Sequence, residues 1–168
     1  RGERLGMLAD RLLHTVYDRF TYQKGVTTAA SPITELLEHG RGVCQDFAHV
    51  MIACLRRLGV PCRYVSGYLF HGSEDTSAEG ATHAWVETFL PGLGWVGFDP
   101  TNDVVAGSRH IRVAIGRDYA DVPPTKRKPR DAGLFVSKRQ PAISAWRAAG
   151  SRGARRRYRS AAAGRACF

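Results

Sequence analysis

Three residues of this 168-residue chain have the types needed for nucleophilic acyl chemistry: Cys44, His83 and Asp99. Each has an ordinary reading when taken alone. A free cysteine most often packs as a small hydrophobe. A strand histidine most often serves as a structural hydrogen-bonder, and an aspartate before proline commonly opens a turn. Position separates Cys44 from Cys54 and Cys62, which read as packing residues. Cys44 starts a helical stretch just after Arg41-Gly42-Val43, where unpaired backbone N–H groups and the helix dipole favour a thiolate. The same N–H groups can form part of an oxyanion hole. Together the three residues supply a nucleophile, a base and a group to orient that base. Cys44 would attack an amide carbonyl, His83 would move the proton, and water or an amine would resolve the thioester. The Cys44 N–H is one candidate oxyanion donor, and the Tyr22-Gln23 loop is a candidate source of the second.

The elements that must position these groups are readable from periodicity. Leu5, Leu8, Leu12, Leu13, Val16 and Phe20 give the first helix an apolar face. Residues 20–30 carry no such period and read as a loop. Ser31 is a candidate N-cap and Pro32 a first helical residue for a short helix that carries Ile33, Leu36 and Leu37 and stops at Gly40. Cys44, Phe47, Ala48, Met51, Leu55 and Leu58 then form one stripe, with Gly59 and Pro61 ending the helix. Beyond it the period falls to two. Cys62 to Phe70, His83 to Leu90, Trp95 to Asp99 and Ile111 to Ile115 read as strands, with a polar loop over residues 71–81.

Strand parity adds a constraint. His83 and Asp99 can share a face of their hairpin only if paired residues have an even index sum. The spacing therefore predicts an odd-length loop or a bulge near Pro91-Gly92-Leu93-Gly94. Glu87 and Thr101 read as structural, Asp103 as a turn residue, and Trp85 and Trp95 as strand aromatics of the core or of a substrate groove.

Four blocks in order carry a resemblance: Gly42-Val43-Cys44-Gln45-Asp46-Phe47; Leu58-Gly59-Val60-Pro61-Cys62-Arg63-Tyr64-Val65-Ser66-Gly67-Tyr68; His83-Ala84-Trp85-Val86-Glu87; and Gly94-Trp95-Val96-Gly97-Phe98-Asp99-Pro100-Thr101. Over residues 42–101 the chain resembles the transglutaminase-like core. The resemblance implies an α+β, papain-like fold in which a catalytic helix packs on an antiparallel sheet. It also implies a Cys-His-Asp triad, which falls on Cys44, His83 and Asp99. Gln45 stands where animal transglutaminases usually carry Trp, and Gln45-Asp46 resembles the bacterial peptidase or amidase branch. The calcium-site region and β-sandwich domains of the animal enzymes have no counterpart here, so calcium dependence and protein crosslinking are not implied.

Charge divides the chain. Residues 1–125 carry 12 Lys+Arg and 14 Asp+Glu, whereas residues 126–168 carry 13 Lys+Arg and one acid, Asp131. The expected organisation is a catalytic core over 1–125 and a basic, poorly ordered tail over 126–168. The Arg, Ala, Gly, Ser and Pro composition of that tail is also what an out-of-frame reading of a GC-rich gene produces. Hydrophobic residues make up 43% and charged residues 24%, which suits a globular core and excludes wholesale disorder. No apolar run reaches membrane-spanning length. No signal peptide is expected, and the missing initiator Met is what a piece of a longer chain would show. The four cysteines form no CxxC pair, so neither a metal site nor a cofactor is expected, and reduced thiols point to a cytoplasmic setting. The expected partner is a peptide or protein amide substrate, with no membrane and no nucleic acid at the core. Two rival readings are a non-catalytic interaction module on the same scaffold and nucleic-acid binding by the basic tail.

The helix-start position makes a direct prediction. Alkylation at mildly acidic pH, mapped by mass spectrometry, should label Cys44 ahead of Cys54, Cys62 and Cys167. Equal labelling of all exposed thiols would remove the case for a nucleophile.

Overall fold

The structure is a computed structural model that describes residues 2–28, 31–70 and 82–122, all within one compact unit spanning residues 1–136. The 71–81 loop and the basic tail from 126 lie outside the described residues. The elements in order are α1 (Gly2–Arg19), β1 (Thr21–Tyr22), α2 (Ile33–His39), β2 (Arg41–Gly42), α3 (Cys44–Arg57), β3 (Cys62–Leu69), β4 (His83–Leu90), β5 (Gly94–Asp99), β6 (Val104–Val105) and β7 (His110–Gly116). A 3-10 turn, Tyr119–Asp121, follows and is tied to α3 by the Tyr119 N–H donating to His49 Nε2 at 3.2 Å. Among the described residues no helix is long and apolar enough to cross a membrane.

The main sheet is antiparallel, in the order β6-β5-β4-β3-β7. One face carries Tyr64, Ala84, Val86, Leu90, Val96 and Phe98, which bury against Phe47, Met51 and Leu55 of α3 and Leu13 and Val16 of α1. Burying side chains of this size stabilises the fold by about 1.5–3 kcal/mol each relative to exposure, so this layer fixes α3 on the sheet. On α1 the most deeply buried line is Gly6, Ala9, Leu13 and Val16, while Leu5, Leu8 and Leu12 flank it. The small Gly6 and Ala9 let α1 approach closely, which an apolar-residue count alone does not reveal. The opposite sheet face holds a smaller cluster of Val65, Trp85 and Ala106.

Two local details differ from the sequence reading. Pro32, not Ser31, is the N-cap of α2 and makes no side-chain cap bond, whereas the Ser31 hydroxyl accepts from the Thr28 N–H at 3.1 Å. Ser31 thus closes the preceding turn rather than the helix. The supposed loop after Phe20 contains β1, which pairs in parallel with β2, Tyr22 opposite Gly42. A two-residue strand leaves no periodicity to detect.

The hairpin register follows the parity expectation. Leu90 pairs with Gly94 and Val86 with Phe98, an index sum of 184. The loop is therefore the three residues 91–93, and Gly94 opens β5 at φ 79°, a left-handed conformation that glycine adopts without a Cβ clash. An even sum puts His83 and Asp99 on one face, one diagonal apart, with Trp85 across from Asp99 when the register is extended by one pair.

Gly67 is where this face is most tightly constrained. It pairs with His83 on one side and Arg112 on the other, at a register shift between Ser66 and Gly67. A Cβ there would fall 2.1 Å from the Ile111 carbonyl oxygen and 2.6 Å from Trp85 Cη2. Gly67→Ala should accordingly destabilise the protein by about 1–3 kcal/mol, measured as a lower denaturant midpoint. An unchanged midpoint would show that β7 can shift freely.

Candidate active site

The site is assembled at the ends of three elements. Cys44 is the first residue of α3 and is partly exposed. His83 is the first residue of β4 and Asp99 the last of β5, and both are buried. The N-terminus of α3 is held by Asp46 at its third position, whose Oδ2 accepts from the Val43 N–H at 2.8 Å and from the Thr27 hydroxyl at 2.6 Å. This is half of a capping box, and it pins the residues just ahead of Cys44. Gly42 is required there, because a Cβ would lie 2.7 Å from Asp46 Oδ2.

His83 and Asp99 are brought together: His83 Nε2 donates to Asp99 Oδ2 at 2.7 Å. Asp99 collects further donors. Its Oδ2 accepts from Asn102 Nδ2 at 2.8 Å and faces His110 Nε2 at 3.0 Å. Its Oδ1 accepts from the Thr101 N–H at 3.1 Å and the Asn102 N–H at 3.4 Å. Burial alone would push the carboxyl up. The hydrogen bond from His110, then that from His83 and that ring's charge, overcome it and hold the carboxyl well below the usual carboxylate range.

His83 is raised to about 10. Burial, the largest single influence, disfavours the charged ring, but hydrogen bonding to Asp99 and to Cys44, with the charges of both, outweighs it. Cys44 thus acts on the ring electrostatically, yet no hydrogen bond of ordinary geometry joins them: His83 Nδ1 is buried with no partner among the described residues. The structure shows the His83–Asp99 pair and a thiol near it, not a closed three-residue chain. Cys44 also contributes, after burial, to raising Tyr22 and Tyr64, so both phenols stand within its field. Burial likewise pushes the Cys62 thiol up, and its Sγ–H donates to the Ile52 carbonyl at 3.7 Å, in keeping with a packing role.

The remaining sequence candidates sort clearly. Gln23 cannot offer its backbone N–H as an oxyanion donor, because it is spent on the Gly42 carbonyl at 2.9 Å. Glu87 is buried on the outer sheet face between Arg63, at 2.6 Å, and Arg112, at 3.0 Å. Trp85 is buried beneath His83, its ring stacked at 6.1 Å between centroids, while Trp95 is partly exposed under the Arg63 guanidinium. Thr101 serves Asp99 through its backbone, and Asp103 takes φ 53° in the turn and pairs with His14 of α1. His110 and Asn102 were not singled out by sequence. The available signal was positional: His110, like His83, is the first residue of its strand.

His83, Asp99 and His110 offer donor atoms within 4.8 Å of one another, a spacing that could hold a metal ion. The hydrogen bonding argues otherwise. The Gly107 N–H donates to His110 Nδ1 at 3.2 Å, so the neutral ring carries its hydrogen on Nε2, the atom a metal would need bare. A ligating histidine normally donates through its other nitrogen, and here that nitrogen accepts. The cluster fits hydrogen bonding rather than a cation.

The raised pKa of His83 carries a stability consequence. A group whose folded pKa exceeds its unfolded value stabilises the fold fully below the unfolded value, 6.5, and ceases to do so as pH rises through the folded one, about 10. Urea unfolding of the native protein and His83→Gln at about pH 6, 8 and 10 should show a stability gap that is widest at the lowest pH and shrinks upward. A gap that is flat or grows with pH would contradict a charged His83.

Comparison with known proteins agrees with this architecture. Residues 5–100 match the transglutaminase-like superfamily. The uncharacterized protein Rv2569c of Mycobacterium tuberculosis is 45% identical over 123 residues, covering 68% of this chain and 39% of that protein. A protein-glutamine gamma-glutamyltransferase of Pseudomonas aeruginosa is 32% identical over 107 residues, 55% of this chain and 16% of that protein. A crystal structure of a candidate cysteine protease from Cytophaga hutchinsonii superposes with a TM-score of 0.57 at 29% identity, over 73% of this chain and 45% of that one. The chain therefore spans about two fifths of the length of the mycobacterial relatives it matches. With a helix packed on an antiparallel sheet in the papain-like manner, it belongs to the transglutaminase-like superfamily, whose members are usually enzymes.

Proposed function

We propose that the chain is a thiol-dependent enzyme that hydrolyses or transfers the acyl group of an amide bond in a peptide or protein, with Cys44 as nucleophile, His83 as general base and acid, and Asp99 as the group that orients His83. The observation that carries this reading is the unequal treatment of the two nitrogens of His83. Nε2 is committed to a buried carboxylate, and Nδ1 is buried with no partner among the described residues although Cys44 acts on the ring. An unsatisfied buried polar atom costs about 1–3 kcal/mol. A purely structural histidine in a non-catalytic interaction module has no reason to carry that cost, whereas a base needs one nitrogen open to the reacting proton. The activities named among the relatives, glutamyl transfer and cysteine proteolysis, are both acyl chemistry at an amide.

The steps balance as follows. Transfer of the Cys44 proton to His83 Nδ1 precedes attack and gives the charged ring, and the thiolate attacks the amide carbonyl carbon. The C–N bond breaks, the departing amine takes the proton from His83, and an acyl thioester remains on Cys44. Water, or a second amine, loses a proton to His83 and attacks the thioester. The products are a carboxylic acid or a new amide, and the thiol is restored. The Cys44 N–H, an orphan donor of the first helical turn, faces the developing oxyanion. With the Gln23 backbone N–H already spent, the hydroxyl of Tyr22, whose backbone pairs with Gly42 and whose phenol stands within the field of Cys44, is the second donor.

The test is turnover of a peptide and isopeptide library with and without an added amine, followed by intact-mass detection of the acyl-enzyme. Native protein should form an adduct on Cys44. Cys44→Ala should lose activity by about 10⁴-fold or more, and Tyr22→Phe by about 10²-fold. Turnover that survives in Cys44→Ala, or a folded native protein with neither adduct nor turnover, would overturn the reading.

A further inference from the structure

Asp99 serves two imidazoles, and only one of them is accounted for by acyl chemistry. His110 begins β7, which is separated from β4 by β3 in the sheet. Its side chain is 3% exposed and reaches Asp99 Oδ2 at 3.0 Å, the same oxygen that receives His83 Nε2 at 2.7 Å. The two rings are 6.2 Å apart between centroids, and the Trp85 ring meets His110 edge-on at 5.1 Å. The Gly107 N–H donates to His110 Nδ1 at 3.2 Å, and the His110 N–H donates back to the Gly107 carbonyl at 3.0 Å. The bond to Nδ1 fixes the ring's orientation and its tautomer, and the backbone bond closes the turn beneath it. Nδ1 is occupied as an acceptor, so the ring hydrogen sits on Nε2 and points at Asp99.

We propose that His110 is a positioning residue: a fixed Nε2–H donor that holds the Asp99 carboxylate in the orientation His83 needs. The inference rests on the reading of His83 as the base and Asp99 as its orienter. The two histidines then divide the work. His83 exchanges a proton in each cycle, and His110 exchanges none. The polar groups that meet Asp99 come from β4 (His83), from the turn after β5 (Thr101 and Asn102) and from β7 (His110). The turn donors act from within the next three residues. Among the described residues His110 is the one donor besides His83 that comes from another strand, so it resists rotation of the carboxylate about its own turn. It is also the largest of the influences that keep the carboxyl low against burial.

The experiment compares His110→Gln, which keeps a donor, with His110→Phe, which keeps a ring against Trp85 and removes the donor. In the full chain, His110→Phe should lower kcat about 10- to 100-fold with KM little changed, the scale seen when a supporting hydrogen bond is removed from a reactive group. His110→Gln should recover most of the loss. A readout independent of turnover is the downfield proton resonance of the buried His83 Nε2–H···Asp99 bond. It should persist in the native protein and in His110→Gln and broaden or vanish in His110→Phe. If the native protein turns over no amide, the acyl-transfer reading fails, and the resonance alone still decides the role of His110. An unchanged kcat and resonance in folded His110→Phe would overturn the proposal. So would equal losses in both variants, or failure of both to fold, since His110 would then be needed for packing alone. A folded His110→Gln with native resonance beside an unfolded His110→Phe would support it.

Discussion

A carboxylate with no solvent contact governs the architecture of this site. Asp99 is fully buried, and an isolated charge there would cost several kcal/mol after relaxation. Among the described residues five hydrogen-bond contacts offset that cost, from two imidazoles, one amide side chain and two backbone N–H groups. Satisfying all of them demands that the end of β5, the turn after it, the start of β4 and the start of β7 meet at one point. The even register of the β4–β5 hairpin, the three-residue loop that produces it, and the bare Gly67 that lets Trp85 and β7 close up are conditions for that meeting.

The Cys44 end of the site is held by different physics. Cys44 is placed by a helix, and the helix is placed by the apolar layer of Phe47, Met51 and Leu55 against the sheet. The last adjustment is polar: Asp46 ties Val43 and Thr27 together, and β1 runs beside β2 so that Tyr22 lies next to Gly42. A core layer of this kind fixes position to the tolerance of close packing, and the Asp46 bonds then set the entry angle of the chain into the helix. The oxyanion geometry proposed for Cys44 depends on both.

Much of this was legible in the amino-acid sequence, and the pattern of success has physical causes. The long elements α1, α3, β3, β4, β5 and β7 announce themselves through periodicity, because each buries one face. The parity of His83 and Asp99 was decidable because side chains alternate strictly along a strand. What escaped was non-periodic. β1 and β2 are two residues each, so no period exists, and the Gln23 backbone N–H that follows β1 is spent on the Gly42 carbonyl. The cap of α2 moved by one residue because the Ser31 hydroxyl had a competing turn to close. His110 escaped because its partner lies eleven residues back in sequence and across two intervening strands, a contact that topology creates and no short motif encodes.

The two ends of the site therefore differ in rigidity, and on the proposed mechanism they must. The nucleophile changes covalent state during a cycle: thiol, thiolate, thioester and thiol again. A side chain that changes partners cannot be locked by several hydrogen bonds without losing each of them in turn, and Cys44 is accordingly a partly exposed thiol. The carboxylate changes nothing. It stays ionised and stays aimed, and every donor spent on it is kept through all intermediates. His83 sits between the two regimes, with one nitrogen belonging to the fixed half and the other to the changing half. A second imidazole on the fixed side costs the proposed reaction no freedom, which is why the outer sheet face can carry His110 and a buried Trp85 next to His83 and Asp99 without restraining the thiol.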